Sequence, residues 1–588
     1  MNHIFKYFSF TLSALALFAC KNTEKEQRPN VIFLMTDDQG YGDFSVFGNP
    51  VLKTPNLDRL HNESIRFSDF HVAPVSTPTR SQLLTGFDAM HNGAFSPHGQ
   101  HTLLRRSYTT MGEIFSQNGY NTALYGKWHL GGNFPDYRPH ERGFQDAVYF
   151  LRGGHWSHPN YWNSDMMDDY YYHNGTLEKY EGYATDLWFR LGEIFVKNSK
   201  KEKKPFFLYL PLNAPHIPWL VPDENRKDYL DTGLDRETIN FYAMIDAVDK
   251  KTGAFIEMLK NEGLWNNTIF IFLTDNGSAL YSQEYNAGMR GKKASVYEGG
   301  HRVPLFISWP DGDLMDPCDL DVLTQNQDLL PTLIDLCNLD LAGEISFNGK
   351  SLKNILKGGD LKEFEDRILV AQFDEDKNKA AVMWNKWRLV NGNELYNIEI
   401  DLPQNENIAD EYPEVVSKLS DHYNDWWKKS EEAIKDPAPY FIGADDEEYK
   451  LTAYDWYWGK RVFNWPHLRA GDKGNGKYRI IFEEAGPYTI SLRRWPKEAD
   501  AGIRSSVPAF TPFDPFLGDL EEGKALDIRQ ARVKLGDKTV TEPVVEDALS
   551  VTFDFEVEKG ETFLQTWFID SDGDEFGAYY VYVDKLHE

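Results

Sequence analysis

Cysteine is almost missing from this chain: three in 588 residues, at positions 20, 318 and 337. Cys318 and Cys337 could pair in an oxidising compartment, but two residues make no disulfide framework, and no cysteine cluster offers a thiolate metal site. Basic charge is scarce too. Lys and Arg number 62 against 91 Asp and Glu, a formal net charge of −29, which excludes a broad nucleic-acid-binding surface. Past the first twenty residues no apolar run is long enough to cross a bilayer. Internal repeats and long low-complexity tracts are absent as well. Aromatic residues, by contrast, make up 14%, and the length predicts two or three domains with ample core. An acidic, aromatic-rich chain suits work outside the cytoplasm in salt, which screens its self-repulsion.

The opening twenty residues, MNHIFKYFSFTLSALALFAC, set Lys6 before an apolar stretch from Tyr7 to Ala19, with Cys20 after small Ala19. This pattern predicts an export signal rather than a spanning helix. LFAC resembles a bacterial lipoprotein processing site, which implies that Cys20 is lipidated, that residues 21–28 are a tether, and that the chain is exported and lipid-anchored to the cell envelope.

Three apolar runs end abruptly in polar residues: NVIFLMTDD (30–38), PFFLYLPLNAPH (205–216) and TIFIFLTDNG (268–277). Each reads as a buried strand. A helical pattern over 235–262 lies between the second and third. Strands alternating with helices predict a mainly parallel sheet flanked by helices, and such sheets bind ligands at the carboxyl ends of their strands. This α/β unit is expected over 29–365. A small antiparallel subdomain with one helix follows over 366–435, then a Pro-containing acidic linker over 436–448. Strand-rich sequence from 449 to 588 predicts a β-sandwich.

Residues 76–86 read STPTRSQLLTG. Pro78 suits a first helical turn, so Ser76 is expected just outside a helix N-terminus whose free amides favour an anion. A nucleophile facing an anionic ester is the natural chemistry. Asp37 with Asp38, and Asp275 with Asn276, follow matching apolar strands. Carboxylates and an amide without histidine or thiol suit a hard cation such as calcium or magnesium, although either pair alone is also ordinary turn chemistry. GKWHLG carries Lys127 and His129, NAPHIPW carries His216, and RGKKASVYEGG carries Lys293.

Taken together and in order, these motifs resemble the sulfatase family, serine-type branch, over roughly residues 28–429. The resemblance implies an alkaline-phosphatase-like fold and a register that selects Lys293 over Lys292. It also implies that an oxygen-independent maturase converts Ser76 to Cα-formylglycine, with calcium held by Asp37, Asp38, Asp275, Asn276 and residue 76. An unmodified serine attacking sulfur would form a sulfate ester that is hard to hydrolyse. A hydrated aldehyde escapes this, because one hydroxyl attacks and the other expels sulfate, so that covalent catalysis becomes cyclic. By the same resemblance, Arg80 and calcium activate the diol and Lys127 and Lys293 hold sulfate oxygens. His129 assists deprotonation and His216 protonates the leaving oxygen. His301 departs from the family pattern, in which an aliphatic residue is frequent after Glu-Gly-Gly.

The segment FLRGGHWSHPNYWN (150–163) lies where such relatives often place substrate loops. Arg152, His155 and His158 are its candidates for reading sugar hydroxyls or a carboxylate. Trp456, Trp458 and Trp495 could form a sugar platform, with core packing the stronger account of each. The expected partner is a sulfated oligo- or polysaccharide, of algal type such as ulvan or carrageenan. Two competing readings are a phosphodiester or phosphonate ester hydrolase and a non-catalytic carbohydrate-binding surface protein.

Overall fold

The apolar runs become the middle of one large sheet in the computed structural model, which describes residues 28–280, 285–443, 447–457 and 459–586. Cys20, the expected export signal and Trp458 lie outside the described residues. In chain order the elements that build the site are β1 (Asn30–Thr36), α1 (Ser76–Thr85), β2 (Asn121–Lys127), β3 (Phe206–Pro211), α2 (Arg236–Asn261) and β4 (Thr268–Thr274). The four strands lie side by side as β4-β1-β3-β2, all parallel, within a ten-stranded sheet. Every residue of β1, β3 and β4 is buried. A strand covered on both faces has no solvent side to make polar, hence the unbroken apolar sequence. Leu187, Trp188, Phe241 and Phe255 cover one face. Leu83 and Leu84 of α1 and Leu329 to Leu333 cover the other.

Register sets the chemistry. Thr36 pairs with Thr274, and Met35 with Pro211, so the strands finish level and the polar residues after them share one rim.

Strands 368–372, 380–384, 387–390 and 394–397 form an antiparallel sheet. The helix Pro413–Lys435 covers it through Val415, Leu419, Tyr423 and Trp427, spaced at helical intervals. The last unit is two facing sheets, ordered 440–442, 477–482, 560–570, 528–535, 538–543 and 449–452, 580–585, 486–493, 551–557. Its first strand, Tyr440–Ile442, pairs with 477–482 inside the segment expected to be a linker. Prolines and acids dominate that segment's composition, yet Tyr440 and Ile442 are fully buried and Asp436 pairs with Arg479.

The C-terminal unit is not merely tethered. Its core continues into the large sheet's unit through Leu103, Phe134, Tyr137 and Trp162. The guanidinium of Arg152, wholly buried, binds Asp455 and Thr102 and donates to Asn133 at 2.8 Å. His158 Nε2 donates to the Asn464 carbonyl at 2.9 Å, and Gln100 Nε2 to those of Ala438 and Arg479 at 3.1 and 2.9 Å. Trp456 and Trp495 are fully buried, as packing and not as a platform. Cys318 and Cys337 are free thiols, not a pair. Among the described residues no helix is long and apolar enough to cross a membrane.

Burial, ahead of any neighbouring charge, pushes the imidazoles of His98, His101, His155, His158 and His301 from 6.5 down to about 3. Unfolding therefore takes up protons between those values, so the stability that these neutral rings preserve is complete above about pH 6.5 and is lost as the pH falls towards 3. The thermal midpoint should drop steeply between about pH 7 and pH 4. A flat profile would show these rings to be open to water.

Candidate active site

Level strand ends deliver Asp37, Asp38, Asp275 and Asn276 to one point, each at most 1% exposed. The Asp38 amide donates to Asp275 Oδ1 at 3.1 Å, and Asn276 Nδ2 to Asp38 Oδ1 at 2.9 Å. Cations surround them. Lys127 Nζ meets Asp37 Oδ2 at 2.5 Å, Arg80 donates to Asp275 Oδ2 at 2.8 Å, and Lys293 Nζ to Asp38 Oδ2 at 2.7 Å. Lys127, the last residue of β2, follows Gly126 at φ 130°, where a Cβ would stand 2.1 Å from the Pro211 carbonyl oxygen.

Burial pushes all three carboxyls up. For Asp275 the charges of Arg80 and Lys127 outweigh burial and hold it well below the usual range; for Asp38 those of Lys293 and His216 outweigh burial and lower it. Asp37 is the exception: burial and then Asp275 raise it well above that range, despite Lys127. Three buried carboxyls thus face three cations, each within hydrogen-bond distance of one of them. A donor set of carboxylates and an amide suits a hard divalent cation such as calcium or magnesium.

Ser76 is the first residue of α1, one position further in than expected; extended Val75 is the cap and offers no side-chain bond. The first-turn amides are thus left available to an anion. Ser76 Oγ lies 3.2 Å from Asp37 Oδ1, 3.4 Å from Asn276 Oδ1 and 3.2 Å from Lys127 Nζ.

The hydrogen bonds of the two histidines fix their tautomers. His129 Nε2 lies 3.1 Å from the Pro97 carbonyl, an acceptor only, and 3.0 Å from Tyr454 Oη, whose own hydrogen goes to Pro97 at 2.6 Å. The proton is therefore on Nε2. Nδ1 holds the lone pair and has no partner among the described residues. Burial, then the charges of Lys127 and Arg80, hold this ring neutral. His216 Nδ1 donates to the Ile217 carbonyl at 2.6 Å, and its Nε2 lies 3.6 Å from Asp38 Oδ2.

Ser76, His129, His216 and Lys293 line a cavity of about 560 Å³. Its remaining wall includes Trp156 and Ser157, Phe373 and Asp374 from the small antiparallel sheet's unit, and Tyr454, Phe463 and Asn464 from the C-terminal unit. The structure brings together every expected catalytic and metal residue: Asp37, Asp38, Ser76, Arg80, Lys127, His129, His216, Asp275, Asn276 and Lys293. It places Arg152, His155 and His158 elsewhere, off the cavity wall. Arg152 and His158 are fixed in the interface with the C-terminal unit, while His155 is 1% exposed and stacks on Phe150 at 4.6 Å. Polar side chains in a glycine-rich loop read as exposed, but here Gly153, Gly154, Trp156 and Ser157 face the cavity instead. Tyr454, Phe463 and Asn464 went unnoticed; the aromatic runs AYDWYW and FNW are the only signal that could have drawn attention to them.

A second cluster, His71, Glu298 and His301, is already satisfied. His71 Nδ1 and His301 Nδ1 share a proton at 2.9 Å, and Glu298 binds Arg388 and Arg302 at 2.8 and 3.2 Å. His301 belongs to this network rather than to the cavity.

If the carboxylate cluster takes a divalent cation, calcium at about a hundred times its dissociation constant should stabilise the fold by about 2.7 kcal/mol. Thermal melts with calcium, magnesium or chelator measure this. The response should vanish in Asp275→Asn and Asp38→Asn; an equal response in the wild type and both variants would put the ion elsewhere.

Comparison with known proteins agrees with this geometry. The family model described as Sulfatase matches residues 29–339. N-acetylgalactosamine-6-sulfatase of Rattus norvegicus is 31% identical over 326 residues, which span 51% of this chain and 60% of the rat protein. Arylsulfatase of Klebsiella aerogenes is 31% identical over 315 residues, 43% of this chain and 67% of its own. The crystal structure of Ps i-CgsB in complex with k-i-k-neocarrahexaose superposes with a TM-score of 0.63 at 27% identity, covering 69% of this chain and 94% of that one. Since the family model matches more than half of the chain, including every candidate residue from Asp37 to Lys293, the chain belongs to the sulfatase family.

Proposed function

We propose that this protein hydrolyses sulfate esters of a sulfated carbohydrate, an algal polysaccharide such as ulvan or carrageenan or its oligosaccharides. One observation carries the reading: Ser76 Oγ, at an uncapped helix N-terminus, lies 3.2 Å from both an aspartate and a lysine at the foot of a sugar-sized cavity. Calcium held by Asp37, Asp38, Asp275 and Asn276, together with formylglycine formed from Ser76 by an oxygen-independent maturase, would supply charge stabilisation and a self-regenerating nucleophile.

The chain's own side chains do the rest. Lys127 and Lys293 place positive charge where sulfate oxygens gather it. Arg80 fixes Asp275 and donates to the Lys127 carbonyl at 3.2 Å, holding the nucleophile's surroundings rigid. His129, neutral with an open Nδ1, is built to accept a proton. His216 stands beside Lys293, and burial together with that lysine holds its ring down to about 3. An arriving sulfate offsets the lysine's charge and favours the imidazolium that gives its proton to the leaving oxygen. The family relationship and the carbohydrate named in the Ps i-CgsB complex support a saccharide ester over a phosphodiester. The motif at Cys20 supports export and a lipid anchor at the cell envelope.

Sulfate release from purified algal oligosaccharides, by protein co-expressed with a maturase, tests the reading. The peptide containing Ser76 should weigh two hydrogens less than its serine form. His216→Ala should slow release from a saccharide by about 10²- to 10⁴-fold while sparing an aryl sulfate, whose leaving group needs no proton. Equal losses on both would remove His216 as the acid. No release from any oligosaccharide, with Ser76 unmodified after co-expression, would favour a binding protein. Tyr454→Phe should lower kcat with KM unchanged and move the acidic limb of the pH profile, because it removes one of the two acceptors that fix the His129 tautomer.

A further inference from the structure

Sulfate alone would leave most of a cavity of about 560 Å³ empty. The surplus has a definite chemistry. Trp156 and Phe463 present aromatic surface to it, and His98, neutral through burial and also on the cavity wall, stacks on Phe463 at 4.8 Å with an interplanar angle of 5°, which fixes the phenyl ring. Ser157 and Asn464 supply hydrogen bonds beside these rings. Asn464 Oδ1 is taken by the His467 amide at 3.0 Å, which leaves its NH2 as the donor. The two segments are locked together: Ser157 and Asn464 form a backbone bridge, and the Trp465 amide donates to the Trp156 carbonyl at 3.0 Å. Charge is the second telling feature. Among the described residues lining the cavity Lys293 is the sole Lys or Arg, and Asp38 already holds it; the outer wall carries the carboxylate of Asp374.

We propose that Trp156, Ser157, Phe463 and Asn464 form the binding site of the pyranose ring that bears the sulfate, and that this site takes a ring with no second anionic group. Aromatic faces stack on the C–H faces of a pyranose, and fixed donors read its hydroxyls. A second sulfate or a carboxylate on the same ring would meet Asp374, and among the described residues lining the cavity no Lys or Arg besides Lys293 answers it. Phe463 and Asn464 of the C-terminal unit and Asp374 of the small sheet's unit, all outside the family match, thus share in the specificity of the site. The proposal rests on the sulfate-ester reading of the same cavity.

The test is calorimetric binding to the unmodified serine protein, produced without maturase, in calcium. The probes are inorganic sulfate and monosulfated methyl pyranosides of rhamnose and galactose, each compared with its disulfated or uronate counterpart. At least one monosulfated ring should bind, and its doubly anionic counterpart at least about tenfold more weakly. Phe463→Ala should weaken that ring about tenfold, leave inorganic sulfate unchanged, and be rescued by Phe463→Tyr. Unchanged sulfate binding also shows that the variant is folded. The proposal is overturned if no ring binds, if the doubly anionic ring binds as well, or if the variant weakens sulfate and saccharide alike. Saccharide binding without sulfate release by the matured chain would sink the hydrolytic reading and leave this site in place.

Discussion

The architecture depends on one electrostatic constraint: Asp37, Asp38 and Asp275 are held together out of water at a single sheet rim. Carboxylates closed off at 0 to 1% exposure are tolerated only when each finds a cation or a hydrogen-bond donor. Three elements answer that demand. Lys127 comes from the end of β2, Arg80 from one turn inside α1, and Lys293 from the loop after β4. The same answer assembles the reaction centre, because the helix that carries Arg80 begins at Ser76. Stability and chemistry here share one set of ion pairs. Asp37 is the carboxyl that burial and Asp275 push up most clearly, despite Lys127 beside it.

Around this charged floor the cavity is built by three units of the chain. The large sheet's unit supplies Ser76 and the charges around it, the small sheet's unit contributes Phe373 and Asp374, and the C-terminal unit adds Tyr454, Phe463 and Asn464. The C-terminal unit is held by buried partners that a tethered accessory module would lack, chief among them Arg152 with Asp455 and His158 with the Asn464 carbonyl. Its contribution reaches the strand-end cluster itself, since Tyr454 helps fix the His129 tautomer across 325 positions of sequence.

Much of this was legible in the sequence, for a physical reason. A strand covered on both sides must be apolar throughout, so β1, β3 and β4 announced themselves, and the acids after β1 and β4 stood out against them. The helix pattern over 235–262 matched α2 almost to the residue. Legibility failed where a residue's role is set by a distant segment. Arg152, His155 and His158 have the polarity of ligand-binding residues, and nothing local reveals that Asp455, Asn464 and Phe150 enclose them. Tyr440–Ile442 is too short a strand to show through the prolines and acids around it. Tyr454 and Phe463 sit among aromatic residues most of which are core, as Trp456 and Trp465 are.

Anomalous diffraction from crystals grown with calcium, compared with crystals of Asp275→Asn, tests the central claim most directly. The account predicts one strong peak bounded by oxygens of Asp37, Asp38, Asp275 and Asn276 at calcium distances of about 2.3–2.6 Å, with the side chain of residue 76 completing the shell, and its loss in the variant. A peak among His71, Glu298 and His301, or none at the strand ends, would contradict it.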